Sequence, residues 1–296
     1  MKDSRDGRSA ASGAGCESHH FMAINPRGFH RVAYREWPCY DDPSALVCVH
    51  GVTRHSADFF PLAETLKGRR RLVCPDLVGR GQSDWLADPA DYHVPQFNCD
   101  MATLIARLQC DSIDFLGTSL GGLCGIVMAG LPNSPIRRLI VNDVAPEIPI
   151  RALRRINAYL RADLSFPDLE AVEAHLRECY AGFSPMSDSD WREMAETSVR
   201  PGTDDTLTLH FDPQIGLNFR NYWLTHHFKL WKFWDRITCP ILILGGSESD
   251  FLTPALLERM KSTQPEAEVV IFEGAGHTPT LRSGEQLAPL LEWLGA

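Results

Sequence analysis

No C-x-x-C pair occurs among the nine cysteines of this 296-residue chain, which removes the commonest cysteine-based zinc and redox motifs. Cys48, Cys74 and Cys124 sit inside apolar runs and Cys110 closes a helical segment, the placement of free, mostly buried thiols in a reducing compartment. An H-E-x-x-H pair and a phosphate loop are missing as well, so the sequence calls for no metal and no cofactor. The first twenty residues, MKDSRDGRSAASGAGCESHH, hold no apolar stretch that could serve as a secretory core or span a bilayer. Cations are in the minority, with 29 Lys and Arg against 38 Asp and Glu and a formal charge of −9. That balance disfavours binding to a nucleic-acid backbone, which needs clustered cations on one face. The expectation is a cytoplasmic protein with a flexible tail over residues 1–20, a small-molecule substrate, no nucleic-acid partner and no membrane span. No pattern bears on the oligomeric state.

What is present is ordinary for a globular chain, 44% hydrophobic and 23% charged, and long enough for one large core with an insertion. Short β-rich runs alternate with amphipathic helical stretches, which predicts an α/β fold with a doubly wound, mostly parallel sheet flanked by helices. Strands are expected at His30–Trp37, Ala45–Val49, Arg71–Asp76, Ser112–Gly117, Arg138–Asn142, Ile241–Gly245 and Glu268–Phe272. Helices are expected near Phe59–Leu66, Gln96–Leu108, Leu120–Ala129, Pro254–Thr263 and Glu285–Leu294. Between them, Arg151–Arg161, Leu169–Tyr180, Ser189–Val199 and Phe219–Trp231 read as successive helices with no convincing strand. The domain expectation is therefore a core over residues 21–145 and 236–296 and a helical cap over 146–235, joined by loops such as Phe183–Ser187 and Arg200–Asp205.

The most informative stretch runs from Ile113 to Gly122, a strand followed by Gly117-Thr118-Ser119-Leu120-Gly121 and a helix starting at the serine. A Gly-x-Ser-x-Gly turn in that setting lifts the hydroxyl above the carboxyl edge of a sheet, at a helix N-terminus that favours developing negative charge. Ser119 is the candidate nucleophile. The strand Ala45–Val49 runs into His50-Gly51-Val52-Thr53, where the amides of Val52 and Leu120 would form an oxyanion hole and His50 would shape the loop. Glu273-Gly274-Ala275-Gly276-His277 follows the last strand, and His277 is the candidate base, since a serine hydroxyl needs an imidazole to take its proton. Asp250, on the loop after Ile241–Leu244, is the preferred partner of that imidazole. Asp143, at the end of the strand before the cap, competes for the same role.

In order and spacing these segments, together with Asp76-Leu77-Val78-Gly79-Arg80-Gly81-Gln82-Ser83, resemble the α/β-hydrolase fold superfamily over nearly all of the chain after the tail. The resemblance implies a packing role for the Asp76–Ser83 segment beside the active site. Superfamily members that act on epoxides and halides carry aspartate at the elbow, so a serine there implies acyl transfer. The expected activity is a serine hydrolase with a Ser-His-Asp triad, acting through an acyl-enzyme on a small to medium carboxylic ester or lactone. A carbon–carbon bond hydrolase of ring-cleavage products, an acyltransferase or perhydrolase, and a slow ligand-sensing protein share the same layout. In the cap, Phe183, Trp191, Phe219, Tyr222, Trp223, Phe228, Trp231 and Trp234 would suit an apolar or ring-containing substrate, or would simply form the cap's own core.

Overall fold

A computed structural model describes residues 15–41, 44–160, 164–218 and 229–296. The strands, in chain order, begin with β1 (Glu17–Asn25), β2 (Gly28–Trp37), β3 (Ala45–Val49), β4 (Leu72–Pro75), β5 (Ile113–Thr118) and β6 (Ile136–Asn142). An insertion carries β7 (Ser165–Phe166), β8 (Val199–Pro201) and β9 (Leu207–Leu209), and β10 (Ile241–Gly246) and β11 (Glu268–Phe272) complete the set. Helices are α1 (Phe60–Leu66), α2 (Val94–Leu108), α3 (Leu120–Ala129), α4 (Ile150–Tyr159), α5 (Leu169–Cys179), α6 (Asp188–Ser198), α7 (Ile215–Asn218), α8 (Trp231–Trp234), α9 (Pro254–Thr263) and α10 (Gly284–Leu294). The main sheet has eight strands in the order β1-β2-β4-β3-β5-β6-β10-β11. From β4 to β11 every pair is parallel, while β1 and β2 add an antiparallel hairpin at one edge.

Strands β3, β4 and β5 are buried on both faces because helices cover both faces. Val47, Phe115 and Val141 point into one core, against Phe97, Met101 and Leu104 of α2 and Leu123 and Ile126 of α3. Leu46, Leu116 and Ile140 point into the other, against Leu62 and Leu66 of α1 and Leu287 and Leu290 of α10. Spacing alone accounts for α2: Phe97, Met101, Leu104, Ile105 and Leu108 fall on one stripe, His93 caps the first turn through the Gln96 amide, and Gln109 ends the helix in a left-handed conformation.

Two expectations need correction. Glu17–His20, assigned to the tail, are the start of β1, where Phe21 and Ala23 alternate inward against β2. The insertion is not purely helical: Arg200, expected in a loop, lies in β8, and β7, β9 and β8 pair as a three-stranded antiparallel sheet. Residues 219–228, with the start of the expected Phe219–Trp231 helix and Phe219, Tyr222, Trp223, His226, His227 and Phe228, lie outside the described residues. The end of that stretch, α8, packs on α3 so closely that a Cβ on Gly130 would sit 2.2 Å from the Phe233 carbonyl.

At the amino-terminal ends of β5 and β6, far along the strand from Ser119, fully buried Asp114 accepts from Arg70 (2.6 Å), Arg137 (2.8 Å) and Arg138 (2.6 Å). Burial works to raise its pKa, but the three guanidinium groups override it and hold the carboxyl below its ordinary range. Removing that charge leaves three arginines clustered without their shared counter-ion. Asp114→Asn should therefore destabilise the fold by about 3 kcal/mol in urea titrations, while turnover per folded molecule stays near wild type.

Candidate active site

The chain turns sharply where β5 meets α3. Ser119 takes φ +52°, ψ −111° as the N-cap residue of α3, and its amide donates to the Asn142 carbonyl at 3.0 Å. The turn closes only because its flanking residues lack side chains. A Cβ on Gly117 would lie 2.3 Å from the Gly121 carbonyl, and one on Gly121 would lie 2.0 Å from the Val49 carbonyl. The helix thus starts against both β5 and β3, and the Ser119 hydroxyl stands at the sheet's carboxyl edge.

His277, on the loop after β11, comes to Ser119 from the far end of the sequence. Its Nε2 lies 2.9 Å from Ser119 Oγ and its Nδ1 lies 2.6 Å from Asp143 Oδ2. A carboxylate at Nδ1 calls for the proton on that nitrogen, which leaves Nε2 to accept from the serine hydroxyl. Asp143 is completely buried at φ +56°, just past β6, and its own amide donates to Leu244 in β10. Its carboxylate also accepts from the Gly246 amide at 3.1 Å and the Ser249 hydroxyl at 2.7 Å. Phe251 lies flat against the imidazole, with ring centroids 3.6 Å apart and planes 10° from parallel.

The preferred partner of His277, Asp250, is not in contact with it. Its carboxylate is taken by Arg155 of α4 through two hydrogen bonds of 2.8 Å each. Burial alone would raise the Asp250 pKa, but Arg155 overrides it and holds the carboxyl low. The cause of the difference is topological. β6 and β10 are neighbours, so the loops that follow them, carrying Asp143 and Asp250, leave the sheet side by side. Asp143 sits directly at its strand end under the Gly246 amide, whereas Asp250, four residues beyond β10, faces the insertion. Ser249 and Phe251, which flank Asp250 and contact the Asp143–His277 pair, went unassigned in the sequence because neither belongs to a recognisable motif.

Residues 44–281 match the family model described as the alpha/beta hydrolase fold. The chain belongs to that family. It is 40% identical over 274 residues to the 3-hydroxybutyrate-oligomer hydrolase of Cupriavidus necator, covering 90% of this chain and 94% of that one. It is 29% identical over 234 residues to the 2-(acetamidomethylene)succinate hydrolase of Mesorhizobium japonicum, covering 78% and 81%. Among solved structures, an alpha/beta hydrolase from Novosphingobium aromaticivorans superposes with a TM-score of 0.86 at 29% identity, covering 96% and 99%. The hydrolase fold and its hydrolase relatives make this chain an enzyme of the hydrolase class.

A narrow cavity opens at Ser119 and is bordered by Val52 and Leu120, whose amides were the expected oxyanion donors. Its remaining wall is largely aliphatic: Leu123 from the core and Ile148, Leu153, Ile156 and Ile215 from the insertion, with Tyr92, Phe97 and Phe251 as the rings and Arg80 as the charge. Of the cap tryptophans, those among the described residues do not line it. Trp191 packs in the insertion's own core, and Trp231 and Trp234 pack in the core of the main sheet. Phe183 stands edge-on to His277 at 6.4 Å. A second, more open cavity of about 550 Å³ also borders His277 and is lined by polar groups that include Arg155, Asp250 and His175.

His50 holds the loop that carries Val52. Its Nε2 accepts from the Leu77 amide at 2.9 Å, so the proton sits on Nδ1 and is donated to the Gly51 carbonyl at 2.7 Å. Burial, opposed by nearby Asp76, lowers the His50 pKa from 6.5 to about 4. The unfolded chain takes up this proton below 6.5 and the native one only near 4, so stability must fall as pH drops through that window. Wild type should lose about 2 kcal/mol of this group's contribution between pH 7 and 5, and His50→Gln should flatten the slope measured by urea unfolding at the two pH values.

Proposed function

We propose that this hydrolase cleaves carboxylic esters of short hydroxy acids, with Ser119 as nucleophile, His277 as general base and then acid, and Asp143 as the carboxylate that orients it. The observation that carries the reading is His277 within hydrogen-bonding distance of both Ser119 Oγ, at 2.9 Å, and Asp143 Oδ2, at 2.6 Å. The hydroxy-acid part draws on the relative from Cupriavidus necator and on a cavity whose aliphatic wall suits a small branched acyl chain.

In this mechanism His277 Nε2 takes the Ser119 proton as Oγ attacks the ester carbonyl. The carbonyl oxygen, now negative, accepts from the Val52 and Leu120 amides, the latter at the start of α3 where no preceding helical turn claims it. His277 then returns the proton to the leaving alcohol, which departs and leaves an acyl-Ser119. Water enters, gives a proton to His277 and attacks the acyl group, and Ser119 recovers its proton as the acid is released. Buried Asp143 stabilises the imidazolium in both steps without moving its own proton balance. All nine cysteines are free, which supports a reducing, cytoplasmic setting.

The test is hydrolysis of the 3-hydroxybutyrate dimer, followed by release of the monomer. Ser119→Ala should abolish turnover, and Asp143→Asn should lower kcat by roughly 10³- to 10⁴-fold by holding the wrong tautomer. Asp250→Asn should cost less than ~10-fold, because it touches Arg155 rather than His277. Equal losses in the two aspartate variants, or an active Ser119→Ala protein, would refute the assignment.

A further inference from the structure

Among the described residues, Arg80 is the one charged side chain on the wall of the Ser119 cavity. It is 1% exposed, a location where a cation is costly unless a negative group meets it. Its Nε donates to the Val52 carbonyl at 2.8 Å and its Nη1 to the Val78 carbonyl at 2.8 Å, and both acceptors are neutral. Among the described residues no carboxylate lies within ion-pair distance of Arg80, and no protein acceptor takes Nη2. The buried carboxylate of Asp212 lies beyond ion-pair distance and accepts from the Tyr92 hydroxyl at 2.6 Å and the Gln214 amide at 2.9 Å, so its charge favours the guanidinium only from a distance and does not offset the burial. The guanidinium is flanked by the rings of Phe97, 5.0 Å away, and Tyr92, 5.6 Å away, which hold its plane but supply no counter-charge. Burial lowers its pKa to about 10, so it stays protonated at neutral pH.

Anchoring the Val52 loop explains two of the guanidinium nitrogens, and the distant Asp212 charge offsets only part of the cost of burying the cation. A neutral donor would serve two carbonyls without the cost of burying a cation. From these contacts we infer that Arg80 is the anion-recognition residue of the cavity, pairing with a carboxylate on the substrate while the scissile carbonyl rests at Ser119. The inference builds on the proposed ester hydrolysis and narrows its substrate class: esters that carry a free carboxylate a few bonds from the scissile carbonyl, such as a hydroxy-acid oligomer with its acid end unmasked. The aliphatic wall takes the methyl and methylene groups, and the guanidinium reads the acid end, with the charge-assisted hydrogen bonds strengthened by exclusion of water.

Two measurements test this separately from the hydrolase assignment. First, calorimetric titration of Ser119→Ala protein with 3-hydroxybutyrate and with its neutral methyl ester should show the anion binding at least ~10-fold more tightly. Adding Arg80→Met should erase that difference, and Arg80→Lys should keep part of it. Second, wild-type kcat/KM should be roughly 10- to 100-fold higher for the free-acid dimer than for its methyl-capped form. Whatever Arg80→Met does to the absolute rates through Val52, that ratio should collapse toward one. Anion and ester bound alike by Ser119→Ala, or a ratio near one in wild type, would overturn the inference while leaving ester hydrolysis standing. Anion binding that depends on Arg80 without turnover of either dimer would uphold the inference and overturn the hydrolysis. Should the Arg80 variants fail to fold, the wild-type ratio and the Ser119→Ala titration decide alone.

Discussion

The close approach of α3 to β3 and β5 sets the geometry on which the rest of the site depends. Gly117 and Gly121 let the helix begin within 2.3 Å and 2.0 Å, measured from an added Cβ, of neighbouring backbone. Ser119 is thereby held at φ +52°, a conformation that a serine keeps only when its surroundings over-determine it. Everything around it is arranged to one turn: the β6 end supplies the carbonyl that takes the Ser119 amide, the β3 loop supplies Val52, and His277 arrives from the loop after β11. A loosened elbow would misplace the hydroxyl relative to both the imidazole and the Val52 and Leu120 amides, so the packing of the elbow sets the geometry of the proposed site.

Because β6 and β10 are adjacent, two carboxylates leave the sheet side by side, and they do different work. Asp143, with no exposure, is held by the Gly246 amide, the Ser249 hydroxyl and His277. Asp250, released from the imidazole, ties α4 of the insertion to the core through Arg155. Arg155 also lies over the face of Phe251, 5.7 Å from its centroid, and Phe251 in turn stacks on His277. The imidazole is thus bounded on one face by a ring whose own position depends on the ion pair that joins insertion to core.

Much of this was legible in the residues. Ala45–Val49, Leu120–Ala129, Pro254–Thr263 and Glu268–Phe272 fall where periodicity and caps put them, because each has a buried stripe or a continuous apolar run that only one element accommodates. The Gly-x-Ser-x-Gly turn announced its strand and helix for the same reason that it works, since a side chain at Gly117 or Gly121 would collide with neighbouring backbone. Three things were hidden. The β1 strand is amphipathic through residues as ordinary as His20 and Ala23, and its partner β2, not its own composition, makes it a strand. The three short strands of the insertion have only two or three residues each and exist through pairing at a distance. The choice between Asp143 and Asp250 turned on which loop bends toward His277, a tertiary matter that local sequence does not encode.

The treatment of buried charge is where sequence and structure diverge most usefully. Asp114 has three arginines, Asp143 has three donors, and Asp212 has a tyrosine hydroxyl and an amide. Each of these buried carboxylates is matched inside the protein, as the cost of desolvating a charge requires. Arg80 is buried as deeply as they are, with neutral carbonyls as its direct acceptors and the Asp212 charge acting only from beyond ion-pair distance, and it lies on the wall that Ser119 also borders. On the proposed reading, the other half of its ion pair belongs to the molecule that enters.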